Sequence, residues 1–162
     1  ISCVARKDDS GYSTFTERFN SYKKSMEESD LTPLPEILIE DYDPEKAFEV
    51  ITGTIRDHNC TAFITTNDVV ASRIVMVCNA AGYKVPQDIS IVGMGNIQSF
   101  INAIYPPLTT VDLGAYRIGR AAAEWLLQVV NAEDNSKTDI EAKQVVVPVS
   151  LKVRKTTASC KR

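Results

Sequence analysis

Apolar residues run along this chain in two alternating periods. Short, near-continuous apolar runs ("ISCVA", "PEILIE", "TAFITT" and "VPQDISIVGM") are separated by longer stretches where apolar positions recur every three or four residues. These are the periods of a buried strand and of a one-faced helix. In "STFTERFNSYKKSMEES" the residues Phe15, Phe19, Tyr22 and Met26 follow at spacings of four, three and four, which predicts a helix with one buried stripe. "DYDPEKAFEVITGTIRDH" repeats the grammar. Asp43 is placed to cap, Pro44 suits the first helical position, and Ala47, Val50, Ile51 and Ile55 share a face. After Asn67-Asp68 a third helix carries Val70, Ile74, Val77, Cys78 and Ala81 on one side and is expected to close at Gly82. Four apolar strands separated by helices predict a parallel sheet covered on both faces, a doubly wound α/β unit.

Beyond the fourth strand the grammar changes. "YPPLTTVDL" is a Pro-led extended segment, and "GAYRIGRAAAEWLLQVV" is an amphipathic helix with Ile118, Ala122, Trp125, Leu126 and Val129 facing inward. "NAEDNSKTDIEAK" reads as polar loop, and "KQVVVPVSLKVRKTT" as a closing strand. At 162 residues and 44% hydrophobic content the chain can bury one substantial core. Its net charge of -3 and lack of a clustered Lys/Arg face argue against a nucleic-acid surface on this segment, and the basic "LKVRKTTASCKR" reads as a solvated tail. No uncharged apolar run reaches the roughly 18 residues of a membrane span, and the start lacks the pattern of a secretory signal. Cys3, Cys60, Cys78 and Cys160 are scattered without C-x-x-C spacing, and with His58 as the single histidine they form no metal-ligand pattern. Reduced thiols and no bound metal are expected.

In an open parallel sheet, ligands bind outside the carboxyl ends of the strands. That rule selects Lys7-Asp8-Asp9-Ser10, Asp41-Tyr42-Asp43, Thr66-Asn67-Asp68 and Gly95-Asn96. From Gly93 the sequence reads G-M-G-N-I-Q, so Gln98 stands where a dinucleotide fingerprint needs its third glycine, and no phosphate-binding P-loop pattern occurs. His58 precedes the third strand, at the edge away from the crevice, so nucleophilic catalysis has no evident machinery. Carboxylates among Asp8, Asp9, Asp41, Asp43 and Asp68 leave an acid–base enzyme open as a reading, although aspartates at loop starts commonly cap helices. A small-molecule binding site without a cofactor is the simplest reading.

The ordered set "TAFITTNDVVASRIVMVCNAAGYKVPQDISIVGMGN" and "YPPLTTVDLGAYRIGRAAAEWLL" resembles the effector-binding domain of LacI/GalR-family transcription regulators. Its landmarks are Asn67-Asp68 closing a strand, Gly82 ahead of Val85-Pro86-Gln87-Asp88-Ile89-Ser90, the Ile91-Val92-Gly93 strand, Pro106-Pro107-Leu108-Thr109-Thr110, and Gly119. The resemblance covers most of the chain from Thr61 to Leu127, with "ERFNSYKKSMEES" a looser match upstream. It implies a type I periplasmic-binding-protein-like fold of two lobes, with this chain mainly the C-terminal lobe. Residues 1–105 would form that lobe, 106–131 a crossover segment and helix belonging to the other lobe, and 132–162 a loop, return strand and tail. The implied function is effector sensing by a cytoplasmic, homodimeric, non-enzymatic repressor. Operator DNA would be held by a helix-turn-helix headpiece absent from this chain, and the dimer would form through the helix after Asn67-Asp68 and the segment from Ile101 to Tyr105. A solute-binding protein for sugar uptake shares the fold and is the alternative.

The same resemblance carries over site residues. Arg18 matches the family's effector arginine, Thr14 the hydroxyl one turn earlier, Tyr42 the stacking aromatic and Asn67 the amide that serves ligand hydroxyls. A guanidinium fork suits a diol or a carboxylate. Each residue also has an ordinary role: a solvated helix charge for Arg18, a helix cap for Asn67. Where many family members carry two aspartates after the fourth strand, this chain has Gly95 and Asn96. Gly95 supplies no acceptor and Asn96 can replace one in part, so three outcomes stay open: a ligand other than a typical neutral sugar, an anionic ligand, or a lost effector site.

Overall fold

The computed structural model describes residues 1–7, 13–40, 43–131 and 144–159. Strand and helix alternate as the periods predict: β1 (Ser2–Arg6), α1 (Ser13–Glu27), β2 (Ile37–Ile39), α2 (Pro44–His58), β3 (Ala62–Thr65), α3 (Asp68–Ala80) and β4 (Ser90–Met94). Then come α4 (Gln98–Ala103), β5 (Thr109–Asp112), α5 (Ala115–Asn131) and β6 (Ser150–Lys152). The sheet runs β2-β1-β3-β4-β5-β6, parallel except for the antiparallel edge strand β6. Chain order reverses at β1, which pairs with β2 on one side and β3 on the other. The carboxyl ends of β1 and β3 therefore bound the crevice where such sheets bind ligands.

Local chemistry sets the helix ends. The Asp43 carboxylate accepts from the Lys46 amide at 2.9 Å with Pro44 behind it, and the Asn67 side chain accepts from the Val70 amide at 2.9 Å. Gly82, at φ +82°, stands just past α3, where the Tyr83 amide donates back to the Cys78 carbonyl at 2.9 Å. This backbone turn needs a left-handed residue. "VPQDI" does not extend β4 toward the N-terminus as the apolar run suggests. The Asp88 side chain accepts from the Lys84 amide at 2.8 Å and folds that stretch into a turn, so the strand starts at Ser90.

The main core lies between the sheet and α2 and α3. Val4, Phe63, Ile91 and Leu108 from the sheet side meet Ile51, Ile55, Ile74 and Val75. Each such side chain contributes about 1.5–3 kcal/mol through burial. On the opposite face α1 packs Tyr22 and Met26 against Cys3, with Phe19 and Ile64 beside them. The Tyr22 hydroxyl donates to the Ile1 carbonyl at 2.9 Å and accepts from the Leu34 amide at 3.0 Å. Helices thus lie on both faces, but unequally. Along β4, Ile91 and Gly93 are buried while Val92 and Met94, which point to the α1 side, are half-exposed.

The Pro-led segment enters the sheet before leaving it. Thr109, Thr110 and Val111 align with Val92, Gly93 and Met94 as β5. The chain then departs at Gly114, whose φ is +71° and whose amide donates to the Asp112 carboxylate at 2.9 Å, and begins α5. No residue of α5 is buried: of the predicted stripe Ile118, Ala122 and Leu126 are exposed and Trp125 and Val129 half-buried, so the stripe has no core in this lobe. The polar stretch after α5 falls largely outside the described residues. The C-terminal stretch read as a solvated tail is instead structural through Thr156, because the fully buried Thr156 hydroxyl donates to the Ile91 carbonyl at 2.7 Å and accepts from the Thr109 amide at 2.8 Å. Alternating branched residues in "VSLKVRKTT" carried that signal beneath the charge.

Candidate functional site

Arg18 stands in the second turn of α1, half-buried, and its Nη1 donates to the Thr66 carbonyl at 2.8 Å, just past β3. The bond spans two elements and aims the guanidinium across the carboxyl ends of the strands, in place of the free solvated charge that helix position alone allows. No carboxylate among the described residues pairs with it. Thr14 lies one turn earlier and is exposed. Tyr42, with Asp8, Asp9 and Asp41, lies outside the described residues.

Between α1 and the sheet runs an open cleft of about 900 Å³. Arg18, Thr66 and Met94 line its crevice end, and Tyr22, Met26 and Ile64 its apolar wall. Among the described residues the buried Thr66 hydroxyl has no hydrogen-bond partner.

The residues after β3 and β4 turn out to brace one another. Asn67 caps α3 through its side-chain oxygen. The Asp68 carboxylate is fully buried; it accepts from the Ile97 amide at 2.7 Å and from the Thr110 hydroxyl, so it holds the β4–α4 loop against β5. Room for it exists because position 93 is glycine: a β-carbon there would lie 2.3 Å from Asp68 Oδ1 and 2.8 Å from Leu108 Cδ2. Gly95 sits at φ +131° with its amide donating to the Val111 carbonyl at 2.8 Å. An aspartate, or any other side chain, at that position would be strained in this loop. Asn96, at φ +57°, accepts through Oδ1 from Arg154 Nη2 at 2.8 Å. Its acceptor is thereby engaged by the segment after β6, and the same guanidinium donates through Nη1 to the Leu108 carbonyl at 2.8 Å.

At the rim, Lys7 Nζ lies 3.0 Å and Lys46 Nζ 3.5 Å from Glu40 Oε1, linking the ends of β1 and β2 to the start of α2. The hydrogen bond from Lys7, with the charges of both lysines, holds the Glu40 carboxyl below its ordinary range. His58 ends α2, at the other end of the sheet from the crevice. Burial pushes the Cys3 and Cys78 thiols up to about 12, which keeps them protonated and unreactive. Among the described residues no group of His, Cys, Asp and Glu is placed to hold a metal ion, and no helix is long and apolar enough to cross a membrane. The arrangement offers directed donors and an apolar wall, which is equipment for binding.

A family model described as a periplasmic binding protein-like domain matches residues 1–157. The HTH-type transcriptional repressor PurR of Haemophilus influenzae (strain PittEE) is 30% identical over 141 residues, covering 82% of this chain and 41% of the relative. A LacI-family transcriptional regulator from Bifidobacterium animalis subsp. lactis superposes with a TM-score of 0.78 at 26% identity, over 98% of this chain and 55% of that one. This chain belongs to the LacI/GalR family's effector-binding domains. The structure of the lac repressor dimer bound to operator and the anti-inducer ONPF shares this domain's fold, with a TM-score of 0.77 at 23% identity over 98% of this chain and 52% of that one. The domain spans less than half the length of the curated relatives it matches. Those relatives are transcriptional repressors, a class without enzymatic activity, and the solute-uptake alternative is not favoured by them.

Proposed function

We propose that this domain senses a small sugar-like or related molecule, held between two lobes at the carboxyl ends of β1, β3 and β4, and changes the operator affinity of a cytoplasmic repressor. The observation that carries the reading is Arg18, fixed by the Thr66 carbonyl at the switch point of the sheet in a chain related to transcriptional repressors. Operator DNA would be held by a helix-turn-helix headpiece outside this chain. An effector that binds the closed arrangement of the lobes better than the open one shifts the population toward it, by no more than that difference in affinity. Of residues 106–131, only α5 (Ala115–Asn131) is assigned to the partner lobe, a reading supported by its absence of buried residues, since Thr109–Asp112 run in this lobe's own sheet as β5. Dimerisation is assigned to α3 and the Ile101–Tyr105 segment, supported by the 65% exposed Met76 and 78% exposed Tyr105.

The test uses the full-length protein and a fluorescent operator fragment, titrated with neutral sugars, sugar acids, sugar phosphates and nucleobases. A molecule that moves operator affinity should lose about tenfold or more in affinity with Arg18→Ala, the loss expected for a charged hydrogen bond of about 1.5–3 kcal/mol. An unchanged response in that variant would remove the crevice from the account.

A further inference from the structure

The two connections between the sheet and α5 lie side by side and are fastened at both ends. Where the chain leaves, Arg117 in the first turn of α5 donates through Nη2 to the Pro148 carbonyl at 2.7 Å, on the segment that returns. Its guanidinium lies close over Gly114: a β-carbon there would be 2.8 Å from Nη2 and 3.1 Å from Val147 Cγ1. The returning segment pairs with β5 as β6, from Ser150 opposite Asp112 to Lys152 opposite Thr110. Beyond it the Arg154 amide donates to Thr109 Oγ1 and the Lys155 amide to the Pro107 carbonyl, both at 2.9 Å, so the segment stays seated on the sheet. From there Arg154 reaches out of its own strand pair. One half-buried guanidinium holds the Leu108 carbonyl and Asn96 Oδ1, both at 2.8 Å. Asn96 belongs to the loop leading into α4, whose N-cap residue, Ile97, offers no capping side chain. The setting of that loop therefore rests on two anchors. Asp68 holds the Ile97 amide from α3 and is fully buried, so it is fixed in the core. Arg154 holds Asn96 from the returning connection, which is clasped to a helix without a single buried residue. Charge-assisted hydrogen bonds are short and directional, so movement at one end of this chain of contacts is carried along it.

We propose that Arg154 is a positioning residue that makes the returning connection a lever: displacement of α5 with the partner lobe passes through the Arg117–Pro148 clasp and β6 to Asn96, and so to α4 and the Ile101–Tyr105 segment. This deepens the effector-sensing reading and rests on its assignment of α5 to the partner lobe. Lobe closure reaches the surface assigned to dimerisation by this route without passing through the crevice.

Amide hydrogen exchange in the full-length protein tests it. The Phe100 and Ile101 amides, which donate to the Ile97 carbonyl at 3.1 Å, report on α4, and the Ala47 amide in α2, which donates to the Asp43 carbonyl at 3.1 Å, is the control. Arg154→Met should speed exchange at Phe100 and Ile101 by about tenfold or more, and Arg154→Lys by less. The deciding variant is Arg117→Met, because the hydrogen bond it removes is to Pro148, on the far side of β6 from α4. It should speed exchange at the same two amides by about threefold or more, and add nothing further in the Arg154→Met background. No change at Phe100 and Ile101 with Arg117→Met would leave Arg154 a local brace and overturn the lever. A rise shared equally by Ala47 would be a loss of overall stability and would overturn it too. Neither readout uses an effector, so the lever can fail while effector sensing stands. A lever that holds while no molecule moves operator affinity would leave sensing alone to fall.

Discussion

Gly93 and Asp68 occupy one space. A methyl at position 93 would collide with both the Asp68 carboxylate and Leu108, so Gly93→Ala should destabilise the domain by about 1–3 kcal/mol in urea unfolding. Asp68→Ala leaves the Thr110 hydroxyl and the Ile97 amide without their acceptor, at a similar cost of about 1–3 kcal/mol. Because removing the carboxylate also removes part of the collision, the double variant should lose less than the sum of the two singles. Additive losses would mean that Leu108 alone resists the methyl group. The buried thiols give a second expectation. Burial raises Cys3 and Cys78 from the ordinary 9.0 to about 12, with the nearby Glu36 charge adding to the rise at Cys3. The folded chain therefore keeps protons that the unfolded chain releases above pH 9. Stability from this source is complete below that pH and declines as pH climbs toward 12. Unfolding free energies at pH 8 and pH 10 should show the decline, and Cys78→Ala should make it shallower. At this scale the sequence was legible where a residue's role is local. Asp43, Pro44 and Asn67 announce helix starts by themselves. It was not legible where the role depends on a distant partner: nothing near Arg154 says that its guanidinium meets Asn96, and the positive φ of Gly95 is fixed by pairing with Val111.

Among the elements, α5 is the one whose sequence and setting disagree. Its period is that of a half-buried helix, yet none of its residues is buried and Ile118 and Leu126 of the stripe face solvent. Apolar stripes of this kind find a partner. When the chain of residues 1–162 is made alone, sedimentation should reveal concentration-dependent association, and Leu126→Glu with Leu127→Glu should weaken it, leaving the share assigned to α3 and Ile101–Tyr105. Because these side chains contribute no core contact within the chain, the same changes should leave its unfolding free energy within about 0.5 kcal/mol. A monodisperse monomer with an ordered α5 would defeat this expectation. The example marks a limit of periodicity, which reports that a helix has an apolar face without reporting which body covers it. Strand runs have the same limit. The apolar stretch from Val85 to Met94 reads as one strand, but the Asp88 turn removes its first half, and Val92 and Met94 are only half-covered.

For the molecule as a whole, alternation of strand and helix made the doubly wound sheet legible, since each period is set by its own backbone geometry. The unequal cover of its two faces was not, because it depends on how far α1 alone can reach across six strands. That inequality leaves the cleft beside Arg18, so the feature with the most bearing on ligand choice arises from packing that no single segment encodes. On the proposed reading, effector sensing belongs to the assembled two-lobe protein, in which closure over Arg18 would change operator affinity. The edge of the sheet carries a further implication. Asp112 and Ser150 are register partners across β5 and β6, so the chain leaves the sheet and returns to it on neighbouring residues. In terms of chain architecture, the intervening excursion is a guest spliced into the tip of a β-hairpin. The host sheet, β2 to β6, buries no residue of α5, the guest's one described helix.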